Sequence, residues 1–367
     1  MSQKKIALVA DWITHWGGAE RVFAKLMEMY PEADIYTSVF FPTRPEVFQG
    51  RKIHTSFIQY LPFLNRRHKL CMLLRPLAFW GFSFRKYDIV ISSSSAEAKG
   101  IHTRGKTKHI CYCHTPTRYL WSHSDAYRNF LEFGPLNWLA KFTIPTAFRI
   151  MRKWDYKAAQ RPDIFIANSC TTQARIAEFY ERESIIVYPF FNSSDEGRMT
   201  NEEGRKYFVC LGRIVPYKRF DLAIEACNQL GHKLRIFTNT RNSESERLQK
   251  LSGPTIEWIF GASDDEVAEG LTNAQAFIMP QEEDFGIVAL EAMSHGTPVI
   301  AFGDGGAMET VVHGQTGLFF SEQRTESLVN ALIKFQEIEW NSERIIEQSQ
   351  LFSEERFEEG IRDIIGF

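Results

Sequence analysis

The sequence predicts an α/β protein with two doubly wound, parallel-sheet domains, and three observations carry that expectation. Short continuous apolar runs alternate with amphipathic stretches along the chain, which is how parallel strands covered on both faces read. The alternation breaks once, at "PFFNSSDEGRMTNEEGRK", a polar stretch without apolar period, and then restarts. The length of 367 residues suits about two domains of ~100–200 residues.

Taken in order, "KIALVA" reads as a strand, followed by a loop holding Gly17-Gly18 and an amphipathic helix "AERVFAKLMEMY". "YDIVISS", "KHICYC" and "DIFIANS" are further strands, and "IIVYP" is a shorter one. After the polar break come the strand "YFVCLGR", the helix "RFDLAIEACNQLG", the strand "HKLRIFT", the helix "SESERLQKLSG" and the strand "IEWIFG". Then follow the helix "DDEVAEGLTNA", the strand "AFIMP", a helix, and the strands "PVIAF" and "TGLFF". "SEERFEEGIRDIIGF" is a final helix with Ser353 at its cap and an acid-rich first turn. The expected layout is a first domain over 1–190, a linker over 191–206, a second domain over 207–350 and the terminal helix over 351–367. Two such halves are expected to face each other across a cleft, with ligands beyond the carboxyl ends of the strands.

Apolar content of 44% and charged content of 24% are ordinary for a soluble globular enzyme. Six cysteines are scattered, and Cys111-x-Cys113 inside an apolar run is a poor metal pattern, so all are read as plain buried thiols of a reducing compartment. The apolar run at the N-terminus is too short for a secretory signal, and no window is apolar enough to span a bilayer. The expected location is the cytoplasm.

Charge is unevenly spread. Residues 1–180 hold 26 of the 43 Lys and Arg but only 13 of the 45 Asp and Glu. No acid occurs between Glu46 and Asp88, where Arg and Lys interleave with Phe, Trp and Leu. Residues 51–86, with Arg66, Arg67 and Lys69, thus suit an anionic membrane surface. An ordinary helix layer with a solvated basic rim would read the same way. Nucleic acid is not an expected partner, because the second half is acidic.

Four constellations carry chemistry. In "QEEDFGIVALEAMSHG" a strand ends at Pro280 and a helix should begin near Phe285 or Gly286 and stop before Gly296. Glycine in a first turn allows close approach to backbone, and free N–H groups with the helix dipole would hold a phosphate. Glu283 precedes the helix and Glu291 lies about 7 Å inside it, so the two carboxylates bracket an anion. Carboxylates accept hydrogen bonds from hydroxyls, so a nucleotide sugar fits, although a first-turn acid and a solvated helix acid are also common. In "CLGRIVPYKRF", Arg213 and Lys218 follow a strand end and could neutralise a diphosphate, or be plain loop cations. His114 ends the strand in "HICYCHTPTRYLW", where its imidazole could bond a sugar hydroxyl or simply pack. Gly17-Gly18 in "WITHWGGAER" would let N–H groups approach a ligand, but G-x-G-x-x-G is absent there, and "FGDGGAMET" is only a near miss. D-x-D is also absent, so no metal is expected and charge on a leaving diphosphate would fall to Arg213, Lys218 and the helix end.

In this order and spacing, the pieces resemble the retaining glycosyltransferases of the GT-B fold, family 4, over almost the whole chain. Glu283 and Glu291 match the family's E-x7-E motif with Phe285-Gly286 inside it, and Gly212, Arg213 and Lys218 match its G-R-x-x-x-x-K element. Gly17-Gly18 and His114 match its glycine-rich first loop and N-domain histidine. The resemblance implies two Rossmann-like domains, with the second binding the nucleotide sugar. The base would pack near Gly261-Ala262, Glu291 would hold the ribose, and Arg213 and Lys218 the diphosphate, aided by the N–H groups of Gly286 and Ile287. Glu283 would contact the transferred sugar, His114 would line the reaction centre on the acceptor side, and the final helix would return toward the first domain. Transfer would proceed with retention, by a front-face route without cofactor. "CHTPTRYLW" further resembles bacterial mannosyltransferases of O-antigen and exopolysaccharide assembly, implying GDP-mannose, a lipid-linked saccharide acceptor and the cytoplasmic face of the inner membrane. A UDP-sugar donor, a GT-B epimerase or phosphorylase, and a catalytically dead sugar-nucleotide-binding adaptor are the alternatives.

Overall fold

Each half of the chain builds one all-parallel sheet, and both sheets use the same strand order. The computed structural model describes residues 4–62, 73–122, 137–191 and 205–366, the side chains of 137–144 excepted. Two compact units meet in sequence between Tyr188 and Pro189. Of the expected linker, residues 192–204 lie outside the described residues.

The first unit contains β1 (Ile6–Ala10), β2 (Asp34–Thr37), β3 (Ile53–Thr55), β4 (Ile89–Ser94), β5 (Lys108–Cys113), β6 (Ile164–Ala167) and β7 (Ile185–Ile186). Their order across the sheet is β3-β2-β1-β4-β5-β6-β7. β1 and β4 are buried along their whole length, the mark of a strand covered on both faces. The helix Gly18–Met29 turns Val22, Phe23, Leu26 and Met27 inward, a helical stripe facing the sheet. The short strands β2 and β3 extend the sheet beyond what the apolar runs of the sequence announce.

The second unit contains β8 (Tyr207–Leu211), β9 (Leu234–Thr238), β10 (Ile256–Phe260), β11 (Ala274–Met279), β12 (Val299–Phe302) and β13 (Gly317–Phe320), in the order β10-β9-β8-β11-β12-β13. Its helices start and stop where side-chain chemistry dictates. Asn242 and Ser263 make reciprocal capping boxes with Ser245 and Glu266, and Gly231 closes the helix Phe220–Leu230 in the left-handed region. The final helix, Glu354–Ile365, is capped by Ser353 and sets Phe357 against Phe190.

In both sheets the strand order reverses beside the first strand of the unit: between β1 and β4, and between β8 and β11. The carboxyl ends of those strands are where doubly wound folds place ligands. Among the described residues no helix is long and apolar enough to cross a membrane. The reading of every cysteine as a buried thiol needs one correction among the described residues, outside which Cys71 lies. Cys111, Cys113, Cys210 and Cys227 are buried, but Cys170 is exposed, because it opens the helix Cys170–Tyr180 just past its Ser169 cap.

Candidate active site

β8 ends at Leu211 and the chain leaves it through Gly212, at φ 141°. A Cβ built there would stand 3.1 Å from the Lys218 amine, so glycine is what lets Lys218 lie across the strand end. Arg219, which follows the turn Pro216–Lys218, sits in the left-handed region at φ 50°, an uncommon place for a non-glycine residue. It is held by an ion pair with Asp221 at 3.0 Å and by donation to the Gln323 carbonyl at 3.3 Å. The Asn242 amide donates to the Ile214 carbonyl at 3.1 Å and props the same loop. Arg213 is exposed at the loop's start.

β11 is the neighbour of β8, and the loop behind it carries Glu283. The Lys218 ammonium lies 3.1 Å from Glu283 Oε1, with each side chain only 13% exposed. The Gln281 amide donates to that same oxygen at 3.0 Å. The pair is thus better shielded than the surface ion pairs that contribute little. The helix Ile287–Ser294 then starts from Gly286, at φ 88°. A side chain at 286 would be strained, and a Cβ there would also come 3.3 Å from Met279 Sδ. First-turn N–H groups have no partner within a helix, so Gly286 and Ile287 open the helix at the end whose dipole favours anions. Glu291 is partly buried, roughly 7 Å along the axis. Phe285 buries its ring against Phe352 at 5.5 Å, so it anchors the loop and leaves only its backbone to face a ligand.

Gly261 and Ala262 follow β10. Gly261 is left-handed at φ 74°, and its N–H donates to Asn239 Oδ1 at 2.9 Å. β10 and β11 are separated by β9 and β8, about 14 Å at ~4.8 Å per strand step. The carboxyl edge therefore offers an elongated track with backbone at one end and a charged pair with a helix mouth at the other.

In the first unit, His114 follows β5 and is partly buried. Its Nε2 lies 2.7 Å from Ser93 Oγ, and its N–H donates to the Ser94 carbonyl at 3.0 Å. The segment behind it is clamped side chain by side chain. Thr117 and Trp121 donate to the buried Asp155 at 2.8 Å each, Tyr180 donates to the same carboxylate at 2.7 Å, and Lys99 pairs with it at 2.6 Å. Tyr119 donates to Glu97 at 2.7 Å, and Glu97 pairs with Arg75 at 3.0 Å. Gly17 caps the helix Gly18–Met29 at φ −160°, extended backbone open to any residue, with His15 and Glu20 paired beside it at 3.2 Å.

Asp11, directly behind β1, is fully enclosed. Its carboxylate accepts from the N–H groups of Ser95 (2.6 Å), Ala96 (2.9 Å) and Ala98 (2.6 Å), and from Ser94 Oγ (3.3 Å). Burial pushes its carboxyl above the usual range, while the N–H groups of Ala98 and Ser95 pull the other way. All four donors address its oxygens as acceptors, so the ionised form fits this cage.

Two family models tile the chain. One, described as Glycosyltransferase Family 4, matches residues 16–193, and the other, described as Glycosyl transferases group 1, matches residues 193–352. The chain belongs to the GT-B glycosyltransferases of family 4. The transferase is 25% identical over 365 residues to the alpha-1,3/1,6-mannosyltransferase ALG2 of Dictyostelium discoideum, covering 87% of this chain and 86% of that protein. The GDP-mannose-dependent alpha-(1-6)-phosphatidylinositol monomannoside mannosyltransferase of Mycobacterium tuberculosis is 31% identical over 144 residues, covering 35% of this chain and 37% of its own. Among solved structures, sucrose-phosphate synthase of Thermosynechococcus elongatus superposes with a TM-score of 0.74 at 17% identity, covering 99% of this chain and 98% of that one. HepE of Anabaena, in complex with UDP, gives 0.69 at 17% identity, covering 98% and 99%. These two share the fold.

The structure of the transferase brings Lys218 and Glu283 into direct contact and sets both at the strand edge that also carries Gly286, Ile287, Glu291, Gly261 and Ala262. Arg213 shares the loop of Lys218 but is exposed, whereas His114, Gly17 and Gly18 belong to the first unit. Sequence reasoning missed Gly305 and Gly306. The backbone of this turn pairs with the Glu283 loop, Gly306 N donating to the Glu283 carbonyl at 2.8 Å. A Cβ on Gly305 would come 2.4 Å from that carbonyl oxygen, and one on Gly306 would come 2.2 Å from Phe285 Cα. The signal was the glycine pair in "FGDGGAMET", set aside as a failed dinucleotide fingerprint. Asp11 and Ser93 were missed as well; nothing but their positions at strand ends marks them.

Proposed function

We propose that this glycosyltransferase moves mannose from GDP-mannose onto a lipid-linked saccharide, with retention and without metal, during surface polysaccharide assembly at the cytoplasmic face of a membrane. The observation that carries the reading is the Lys218–Glu283 pair at the mouth of the helix Ile287–Ser294. The diphosphate takes the helix N–H groups and exchanges into the Lys218 contact, with Arg213 approaching from the exposed loop. Glu283, released from Lys218, accepts hydrogen bonds from the sugar's hydroxyls, and Glu291 does so from the ribose. As the glycosidic bond breaks, charge grows on the leaving phosphate, where Lys218 and the helix dipole are already in place. The leaving phosphate oxygen then takes the acceptor's proton while the acceptor oxygen bonds to the anomeric carbon on the same face, and His114 orients the acceptor hydroxyl.

The mannosyl donor is supported by the mannosyltransferase relatives, one of which is named for GDP-mannose and a phosphatidylinositol acceptor. Calorimetric titration with GDP and with UDP tests it: GDP is expected to bind more tightly, and tighter UDP binding transfers the reading to a UDP-sugar, the nucleotide that HepE carries. Product analysis with and without a lipid-linked acceptor separates transfer from epimerisation or phosphorolysis; product that forms without acceptor sinks the front-face transfer mechanism. The expected membrane contact over 51–86 is part of this proposal. Arg66, Arg67 and Lys69 lie outside the described residues, and Arg75 is not a lipid contact, since it is buried against Glu97.

A further inference from the structure

The crossover from β3 to β4 has an inner side that a doubly wound fold requires. Ile58, Ala78, Phe79 and Phe84 are buried with Tyr36 and Val90 over one face of the sheet. Its outer side should be polar, yet Phe57, Tyr60, Leu73, Leu74, Leu77 and Trp80 are all exposed, Tyr60 at 77% and Trp80 at 60%. They make up six of the 11 exposed large apolar side chains among the described residues, so the concentration is local. The turn Phe57–Tyr60 packs beside the helical turn Arg75–Ala78, which joins these side chains into one apolar face. Such a face marks an interaction site.

Its border is cationic. The Trp80 ring stands edge-on to His102 with centroids 6.4 Å apart, and exposed Arg104 and Lys106 follow His102. Thr107 Oγ1 donates to the carbonyls of Phe84 at 3.2 Å and Tyr87 at 2.8 Å, holding that loop beside exposed Arg85; the neighbouring Lys86 is paired with Asp34 at 2.8 Å. Between residues 73 and 108 the one exposed acid among the described residues is Asp88. Arg75 faces the other way, fixed to Glu97 at 3.0 Å, so the turn cannot rotate its leucines inward without uncoupling a buried ion pair.

We infer that this face inserts into an anionic lipid surface, with Leu73, Leu74, Leu77, Phe57 and Tyr60 entering the acyl boundary, Trp80 at headgroup level and Arg85, Arg104 and Lys106 on the headgroups. Apolar side chains ringed by cations are what such a surface binds, and tryptophan favours the interface. Two-fold pairing with a second copy is the poorer fit, since it would set these cations against their own copies. The inference deepens the lipid-linked acceptor reading and rests on it, but its test needs no sugar transfer.

The full chain is sedimented with vesicles of phosphatidylcholine alone and of phosphatidylcholine with phosphatidylglycerol, while GDP affinity is measured in parallel. Wild type is expected to bind the anionic vesicles. Leu74→Ser/Leu77→Ser/Trp80→Ser should lower partitioning by about 100-fold or more, because apolar burial dominates, with GDP affinity unchanged. Arg104→Ser/Lys106→Ser should lower it by about 10-fold at low salt and flatten its salt dependence. In wild type, hydrogen exchange at 57–60 and 73–80 should slow on vesicles, which reads the site without a variant. Equal binding by the triple variant, no vesicle protection at those segments, or a wild-type dimer that the triple variant dissolves while vesicles fail to bind would each overturn the inference. Loss of GDP binding in wild type would instead strike the donor reading.

Discussion

The two sheets share one strand order and then treat the point of reversal in opposite ways. In the first unit the space between the ends of β1 and β4 is filled from within: Asp11 gives its carboxylate to the N–H groups that follow β4. An anion of the chain's own occupies the seat where a doubly wound fold would otherwise hold a phosphate. In the second unit the equivalent seat, between β8 and β11, carries Lys218 and a helix mouth, and its acid is tied to the lysine instead of to the backbone. The lesson is that topology supplies two seats, and in the first of them a side chain behind the first strand of the unit already takes up the N–H groups.

That contrast can be attacked from several sides. Asp11→Ala leaves the buried N–H groups of Ala96 and Ala98 and the partly buried one of Ser95 without their acceptor; the expected cost is about 3–5 kcal/mol of the first unit's stability, read by denaturant unfolding. Wild-type stability in that variant would remove the idea of a self-filled seat. Lys218→Ala is expected to spare stability but lower turnover by about 10²–10³-fold, as for a lost transition-state donor; an unchanged rate would put the diphosphate elsewhere. His109 gives a pH signature confined to the first unit. Burial, helped by Arg161 and Arg182, pushes its imidazole down to about 3. Below an unfolded value near 6.5 the unfolded chain binds a proton that the folded chain refuses, so stability falls as pH drops from there toward 3, by up to about 1.4 kcal/mol per unit. Melting curves of the first unit should show that slope, and His109→Gln should lose one proton's worth of it. The smallest effect belongs to Ser93→Ala, which frees the His114 ring: about 2–10-fold in acceptor-dependent turnover from one hydrogen bond, with GDP affinity untouched.

Much of this architecture was legible because long strands buried on both faces have no polar alternation to confuse them. β1, β4, β5, β8 and β11 each appear as an apolar run with a turn behind, and the edge residues Lys218 and Glu283 follow from those runs. β2 and β3 were not legible: "DIYT" and "IHT" are too short to show a period, and β3 sits inside a stretch that reads as surface. The burial of Arg75 was not legible for a related reason. Its partner Glu97 belongs to a different loop, and a cation's partner across a fold leaves no mark beside it in sequence. The Gly305-Gly306 turn shows the reverse failure, a visible motif matched to the wrong template, since its glycines answer to a neighbouring backbone and not to a dinucleotide. "CHTPTRYLW" is legible by resemblance alone; the bonds of Thr117, Tyr119 and Trp121 to Asp155 and Glu97 give its spacing a physical reason.

The parallel bridge between Glu283 and Gly305, with the N–H of Gly306 on the Glu283 carbonyl, adds one more rung to the sheet past the last residue of β11. A residue on a rung has no hinge. In the proposed mechanism Glu283 therefore has only its side-chain torsions with which to trade an ammonium for a hydroxyl, and no loop excursion is called for. If Glu283 meets the transferred sugar as proposed, engineering of sugar preference has most to gain from the side chains at 281–284 and least from lengthening this turn.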